Sequence, residues 1–411
     1  MQPALHGLKV VDFSQGGAGP YCAQLLADFG ASVIKVEPPR GDWAREMGVR
    51  DEVLGMSATF AAFNRSKRGL CLDLTQADAV ELARRLALAA DVVVEAFRPG
   101  VMHRLGLGAE HLCPLAPRLV YCAVSGYGQS GPNIDRPASD SVMQAYGGLM
   151  SLIGEPGGQP LRVPNIVSDM LAGTNAFASV LLALVRRHET GRGGVVGTSL
   201  LDSIVGFQAS ILSEYLMTGR APERRGNRHP LIAASGIFDA ADGQIAYTVL
   251  DHYWKPFCEV MGLQRLGDDP RFATSTARQE NRQALHQAFG DATRPHRVAD
   301  LLERLGAAGV LCAPVQDYAA LTSDPQVRHN ALLSTLHVRG REVPMVRAPM
   351  HLDGPGVTWT APPAIGEHTR QILADELGLP PSRIDALLAS GAVRSASPHD
   401  AAPQERDDDM S

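Results

Sequence analysis

Hydrophobic and polar positions in the first part of the chain switch between two periods. Leu8 to Phe13 is a short apolar run, and Ser14-Gln15-Gly16-Gly17-Ala18-Gly19 is a stretch of small residues. Cys22, Leu25, Leu26 and Phe29 then recur at helical spacing as far as Gly30. Pro20 suits the first turn of that helix, where a missing N–H costs nothing, and Gly30 suits its end. Val33 to Val36 reads as the next strand, closed by Glu37-Pro38-Pro39. Strand, helix and strand in this order predict a βαβ unit with parallel strands. The alternation continues with a strand over 70–74, a helix over 77–89, a strand over 92–94, the turn Phe97-Arg98-Pro99-Gly100 and a strand over 119–124. The pattern predicts an α/β fold with an open, Rossmann-like parallel sheet. Such sheets bind ligands beyond the carboxyl ends of their strands.

From Val142 the pattern turns helical. Met170 to His188 is apolar on most sides and predicts a core helix, ended by Gly191-Arg192-Gly193-Gly194. A strand over 195–199 and a single helix over 201–217 follow. The polar, basic stretch 219–230 marks a domain boundary. Asp242-Gly243 is a hairpin signal between 236–238 and 245–250, and helices run through Trp254, Leu285 and Leu301 before Cys312-Ala313-Pro314-Val315. The expected division is a large domain over 1–218, a smaller α+β domain over 219–322, short strands and two helices over 323–394, and a tail over 395–411. The tail carries Asp407-Asp408-Asp409 and almost no apolar residues, a composition that predicts disorder.

The 411 residues are enough for two or three domains. With 45% hydrophobic and 20% charged residues the composition is that of a soluble globular protein. A formal net charge of −6 argues against nucleic acid as a partner. The six cysteines form no C-x-x-C pair and most lie in apolar runs, which predicts buried free thiols in a reducing cytoplasm. No metal-site spacing appears among the Cys and His residues. The first residues lack the pattern of a signal peptide, and no run approaches the ~18 apolar residues of a membrane span.

Candidate chemistry is locally ambiguous. Glu37 lies where a ribose-binding acid would follow a glycine loop, but Gln15-Gly16-Gly17-Ala18-Gly19-Pro20 is not G-x-G-x-x-G, and Pro20 removes an N–H that a pyrophosphate site uses. Arg40, Arg45, the run Asn64-Arg65-Ser66-Lys67-Arg68, Arg98 and Arg104 all fall near strand ends. Each reads singly as solvated surface; together they suit a multiply phosphorylated ligand. Ser168 and Asp169 immediately precede the long apolar helix, where capping is the default role, as it is for Asp140 at the next helix upstream. Ser125 is not in a G-x-S-x-G elbow.

The order of motifs changes this picture. Leu8-Lys9-Val10-Val11-Asp12-Phe13, Ala18-Gly19-Pro20 and Asp28-Phe29-Gly30-Ala31-Ser32-Val33-Ile34-Lys35-Val36-Glu37 open a series. Leu72-Asp73, Gly126-Tyr127-Gly128-Gln129, Val167-Ser168-Asp169, Thr190-Gly191-Arg192-Gly193, Asp269-Pro270-Arg271-Phe272 and Gly366-Glu367-His368-Thr369 continue it. The series resembles the class III CoA-transferases, the CaiB/BaiF family that includes formyl-CoA transferase. The likeness covers about residues 5 to 393. It implies that Asp169 is the nucleophile, attacking an acyl-CoA thioester to form an acyl-aspartyl anhydride and then an aspartyl-CoA thioester. The substrates implied are an acyl-CoA, with succinyl-CoA as donor, and a free small dicarboxylic or hydroxy acid, with no metal or further cofactor.

By the same resemblance, CoA contacts fall at Gly17 and Ala18, at Leu72, Asp73, Leu74 and Thr75, at Ala96, Phe97 and Arg98, and at Arg104 near the adenine end. Arg40 joins them from a loop that varies across the family. Ala96 stands where asparagine is common, and Pro137 where formyl-CoA transferase has lysine. The region around Ala233-Ala234-Ser235-Gly236 is short where that enzyme has a glycine-rich insertion, which points to a larger acceptor than formate or oxalate. The family fold implies a C-terminal return to the large domain and an interlocked homodimer. Two rivals remain. A 2-methylacyl-CoA racemase of the same family needs a His/Asp pair, whereas Ser139-Asp140 stands here. A non-catalytic CoA-binding subunit would not require Asp169.

Overall fold

The computed structural model describes residues 2–51, 54–229, 231–338, 341–354 and 356–396. Its largest sheet is built from β1 (Lys9–Asp12), β2 (Ser32–Glu37), β3 (Lys67–Leu72), β4 (Val92–Glu95), β5 (Val120–Ser125) and β6 (Gly194–Ser199), with the short strand Val393–Arg394 at one edge. From that edge the order is Val393–Arg394, β3, β2, β1, β4, β5, β6. Every pairing is parallel except that of Val393–Arg394 with β3. Helix α1 (Ala18–Asp28) links β1 to β2, and α2 (Ala77–Ala89) links β3 to β4. Helices α3 (Asp140–Tyr146) and α4 (Val167–Thr190) lie between β5 and β6 in sequence.

Strand periodicity explains why the sheet is covered on both sides. Val10, Val33, Val92, Val94, Val120, Cys122 and Val124 pack with residues of α1 and α4 in one core. Val11, Ile34, Val93, Tyr121 and Ala123 pack with α2 residues in another. Adjacent residues of each strand thus face opposite layers, and both layers are apolar, as a parallel sheet requires.

The described chain forms two units: Met1–Leu149 with Arg162–Thr218 and Ala331–Ser411, and Met150–Leu161 with Gly219–Asn330. The smaller unit therefore takes in residues 150–161 and extends past 322. It contains a three-stranded antiparallel sheet, Leu311–Pro314, Gly243–Thr248 and Ser235–Ala240, with helices around a core of Tyr247, Trp254, Phe257, Leu285, Phe289 and Leu301. Its hairpin turns one residue earlier than expected. Ala240 pairs with Gly243, so Ala241 and Asp242 form the turn, and Asp242 is held there by the Val298 N–H at 2.8 Å.

Three further expectations are corrected. β3 begins at Lys67 and ends at Leu72, because the Asp73 carboxylate turns to accept from the N–H and hydroxyl of Thr75. The helix expected over 201–217 is two, Leu200–Phe207 and Ala209–Thr218, broken where the Gln208 side chain donates to Gly147 O and Ile204 O. Finally, α4 spans 24 residues and is long and apolar enough to cross a membrane by length and composition, contrary to the sequence reading. Its small-residue face, Ala172, Gly173, Ala176, Val180 and Ala183, packs into the protein core, while Leu182 and Val185 are exposed. Of the expected tail, residues 397–411 lie outside the described residues.

Candidate active site

Parallel pairing brings the carboxyl ends of β1, β3 and β4 to one edge of the sheet. The strand order reverses between β1 and β4, which creates a crevice there. The loop after β1 and the segment after β4 meet at it: a Cβ on Gly19 would lie 3.1 Å from the Ala96 Cβ.

Asp169 reaches this crevice from the first turn of α4. That helix starts at Val167 with Ile166 as its N-cap and no capping side chain of its own, so neither Ser168 nor Asp169 has the capping role read locally. Asp140, the first residue of α3, supplies the cap from outside. It accepts the Ser168 N–H at 2.8 Å and the Ser168 hydroxyl at 2.7 Å. Gln144, one turn further along α3, donates to Asp140 at 2.7 Å and accepts the Val163 N–H at 2.8 Å, which secures the chain leading into α4. The Asp169 carboxylate is thereby free to face the start of α1, where the Ala18 N–H donates to Oδ1 over a long 3.3 Å. Gly17 permits the approach, since a Cβ there would fall 3.0 Å from both Cβ and Cγ of Asp169.

Two helix N-termini, those of α1 and α4, meet at this carboxylate, and their dipoles favour its charge. Burial opposes them more strongly, the Asp140 charge adds to it, and the Ala18 N–H offsets only part, so the pKa is pushed up to about 6. At pH 7 such a group is still about nine-tenths ionised, and the more basic carboxylate is the better nucleophile.

The other expected contacts lie along the same sheet edge. Gly17 and Ala18 open α1; Leu72, Asp73, Leu74 and Thr75 leave β3; Ala96, Phe97 and Arg98 leave β4. The Leu72 side chain is sealed in the core, so only its backbone faces a ligand. Arg40, Arg98 and Arg104 are exposed, and the Arg104 guanidinium folds back toward Gly100, whose added Cβ would meet it at 3.4 Å.

The rest of the basic cluster is not a phosphate grip. Arg45 makes a bidentate pair with Glu37 at 2.8 and 2.7 Å, Arg65 pairs with Asp28 at 2.5 Å, and Lys67 pairs with Asp12 at 2.8 Å, all of them buried. Arg68 pairs with Glu376 at 2.7 Å. Glu37 is consumed by Arg45 and by the Asp42 N–H, which removes it as a ribose acid. Sequence reading also passed over His103, Glu110 and His111. Their ligand atoms lie within 4.8 Å of one another on two exposed one-turn helices, Val101–Arg104 and Ala109–Leu112, an arrangement that could hold a metal ion at a spacing that matches no linear motif. The described cysteines are free thiols, four of them buried.

The profile of CoA-transferase family III matches residues 5–369. The chain is 33% identical over 383 residues to the succinate–glutarate CoA-transferase of Agrobacterium fabrum, covering 91% of this chain and 96% of that one. It is 34% identical over 395 residues to the succinyl-CoA–D-citramalate CoA-transferase of Chloroflexus aurantiacus, covering 95% and 98%. A crystal structure of a CaiB/BaiF family protein from Brucella suis superposes with a TM-score of 0.83 at 34% identity, covering 91% of this chain and all (100%) of that one. The chain belongs to family III of the CoA-transferases, and it is an enzyme of that class.

Proposed function

We propose that this enzyme moves CoA from succinyl-CoA to a small dicarboxylic or hydroxy acid, with Asp169 as the nucleophile. The observation that carries this reading is the placement of the Asp169 carboxylate against the Ala18 N–H, in the crevice between β1 and β4. A carboxylate oxygen of Asp169 attacks the thioester carbon; the C–S bond breaks, and CoA leaves as thiolate from an acyl-aspartyl anhydride. The thiolate attacks the aspartyl carbonyl and expels the donor acid as its carboxylate, leaving an aspartyl-CoA thioester. The acceptor carboxylate displaces CoA from that thioester to form a second anhydride. The returning thiolate attacks the acceptor carbonyl, giving the new acyl-CoA and regenerating Asp169.

Each step exchanges anionic groups and none needs a proton removed, which suits a site where the nucleophile is already ionised. The acid and CoA ester named for the two relatives support the choice of donor and acceptor class. Gly17, Ala18, Leu72 to Thr75, Ala96 to Arg98, Arg104 and Arg40 hold the CoA in this reading, and remote CoA contacts offset the strain of the anhydride. CoA is a substrate and no further cofactor enters the scheme. The free thiols support a reducing cytoplasm. The exposed Tyr215, Leu216 and Met217, on a helix with no buried residue, support a homodimer that covers them. A racemase reading is disfavoured because Ser139 stands where a carbon base is needed and Asp140 is engaged by Ser168 and Gln144.

The test is Asp169→Ala, assayed by exchange of radiolabelled succinate into succinyl-CoA. Exchange should fall by about 1,000-fold or more while CoA still binds; a variant that exchanges at the wild-type rate rules out the assignment. A panel of acids including glutarate, citramalate and oxalate then identifies the acceptor. Deuterium uptake at the α-carbon of a 2-methylacyl-CoA in heavy water, without an acceptor acid, is the outcome that favours the racemase.

A further inference from the structure

Four buried charged side chains grip the backbone from Ser14 to Pro20. Lys35 Nζ donates to Ser14 O at 2.8 Å. Asp12 accepts the Ser14 N–H at 3.0 Å and also its hydroxyl. Asp42 accepts the Gly16 N–H at 3.1 Å. Lys67 Nζ donates to Pro20 O at 2.9 Å. The same four groups neutralise one another in pairs, Lys35 with Asp42 at 2.9 Å and Lys67 with Asp12 at 2.8 Å. None is more than 1% exposed. They come from β1, β2, the turn after β2 and β3, so one loop is tied to three neighbouring strands.

Burying four ions is an inefficient route to stability. Desolvation opposes most of their attraction, and apolar residues of the same volume often do as well. What ions supply and apolar groups do not is a directed hydrogen bond to a chosen backbone atom. Here the chosen atoms lie at Ser14, Gly16 and Pro20, and between them lie Gly17 and Ala18, the two residues pressed against Asp169. One more bond extends the device: Asp42 also accepts the Ala44 N–H at 2.9 Å, so the turn carrying Trp43, whose ring covers Gly16, is set by the same carboxylate.

We propose that Lys35 and Asp42, seconded by Asp12 and Lys67, are positioning residues of CoA transfer, which hold the start of α1 at its working distance from Asp169. The proposal rests on Asp169 being the nucleophile. Displacement of a reacting group by ~1 Å costs about 100-fold in rate, and a glycine-rich loop without these ties has the freedom to move that far.

Two variants test it. Lys35→Met/Asp42→Leu removes both charges at similar volume. It should fold with a thermal midpoint near that of wild type, lose about 100-fold in kcat for succinate exchange into succinyl-CoA, and change KM for succinyl-CoA by less than about threefold. Asp42→Glu keeps the charge and lengthens the reach by one methylene; it should lose about 10-fold in kcat with KM unaltered. A purely structural role predicts changes in thermal midpoint and none in kcat. Wild-type kcat in either folded variant overturns the proposal, and Asp42→Glu decides alone if the double variant does not fold. Hydroxylamine trapping with succinyl-CoA alone separates this from the underlying reading. No adduct on Asp169 in the wild type defeats the nucleophile assignment. An adduct formed as fast in the variants as in the wild type defeats only the positioning role.

Discussion

A carboxyl whose pKa is lifted to about 6 by burial and by the Asp140 charge is less stable folded than unfolded once it ionises. The favourable state of Asp169 is therefore the protonated one, and its contribution is fully present below about pH 4 and lost as pH rises through about 6. Asp169→Asn should accordingly melt higher than wild type at pH 7–8, by on the order of 2–3 kcal/mol, with the difference vanishing near pH 4 in paired thermal melts. Activity runs the other way. The kcat/KM profile should rise with pH and level off above about 6, and Asp140→Asn, which removes the like charge, should move that rise to lower pH. Little of this was legible at the level of single residues. Asp169 and Ser168 have the sequence signature of a helix cap, and the true cap, Asp140, is 28 residues away. Arg45, Arg65 and Lys67 resemble phosphate ligands because their buried partners lie 8, 37 and 55 positions distant. Side-chain chemistry names what a residue is able to do, while its partners decide what it does.

Elements were far more readable, because strand and helix periods are local. Helix 77–89 and the strands from β1 to β6 follow from which positions are apolar, and so does the layering of the sheet. What periodicity leaves out is how closely two elements approach. Helices α1 and α4 cross where Gly173 lies against α1; a Cβ there would meet Ala18 O at 2.7 Å and the Tyr21 ring at 2.9 Å. Gly173→Ala should destabilise the protein by about 1–3 kcal/mol, measured by denaturant unfolding. Gly17→Ala presses on Asp169 instead of on backbone. It should leave stability nearly unchanged and lower kcat by about 100-fold in the exchange assay. Opposite outcomes for two neighbouring glycines would distinguish the packing of the helix pair from the alignment of the site. The split of helix 201–217 escaped prediction for the same reason, since Gln208 breaks it through a bond to Gly147, which lies far off in sequence.

At the scale of the molecule, the ordered set of family motifs carried more than any element did, since a set spread over residues 5–369 constrains the whole topology at once. It leaves association to be tested. If a second copy covers the apolar residues near 215–217, Met217→Glu should lower the apparent mass seen by light scattering at micromolar concentration. The sheet has its own large-scale dependence. Strand β3, second from the edge, is paired on the outside by Val393–Arg394, and the Thr369 hydroxyl donates to Arg394 O at 2.7 Å while its oxygen accepts the Cys71 N–H at 3.2 Å. Almost the whole chain separates these partners, so during synthesis the row of N–H and C=O groups on β3 waits uncovered until residue 394 has left the ribosome. A ribosome that stops shortly before that point releases a chain with its catalytic half complete and one sheet edge open to other chains. The two-residue strand Val393–Arg394 thus closes a sheet edge whose backbone groups have, among the described residues, no other strand beside them until it docks.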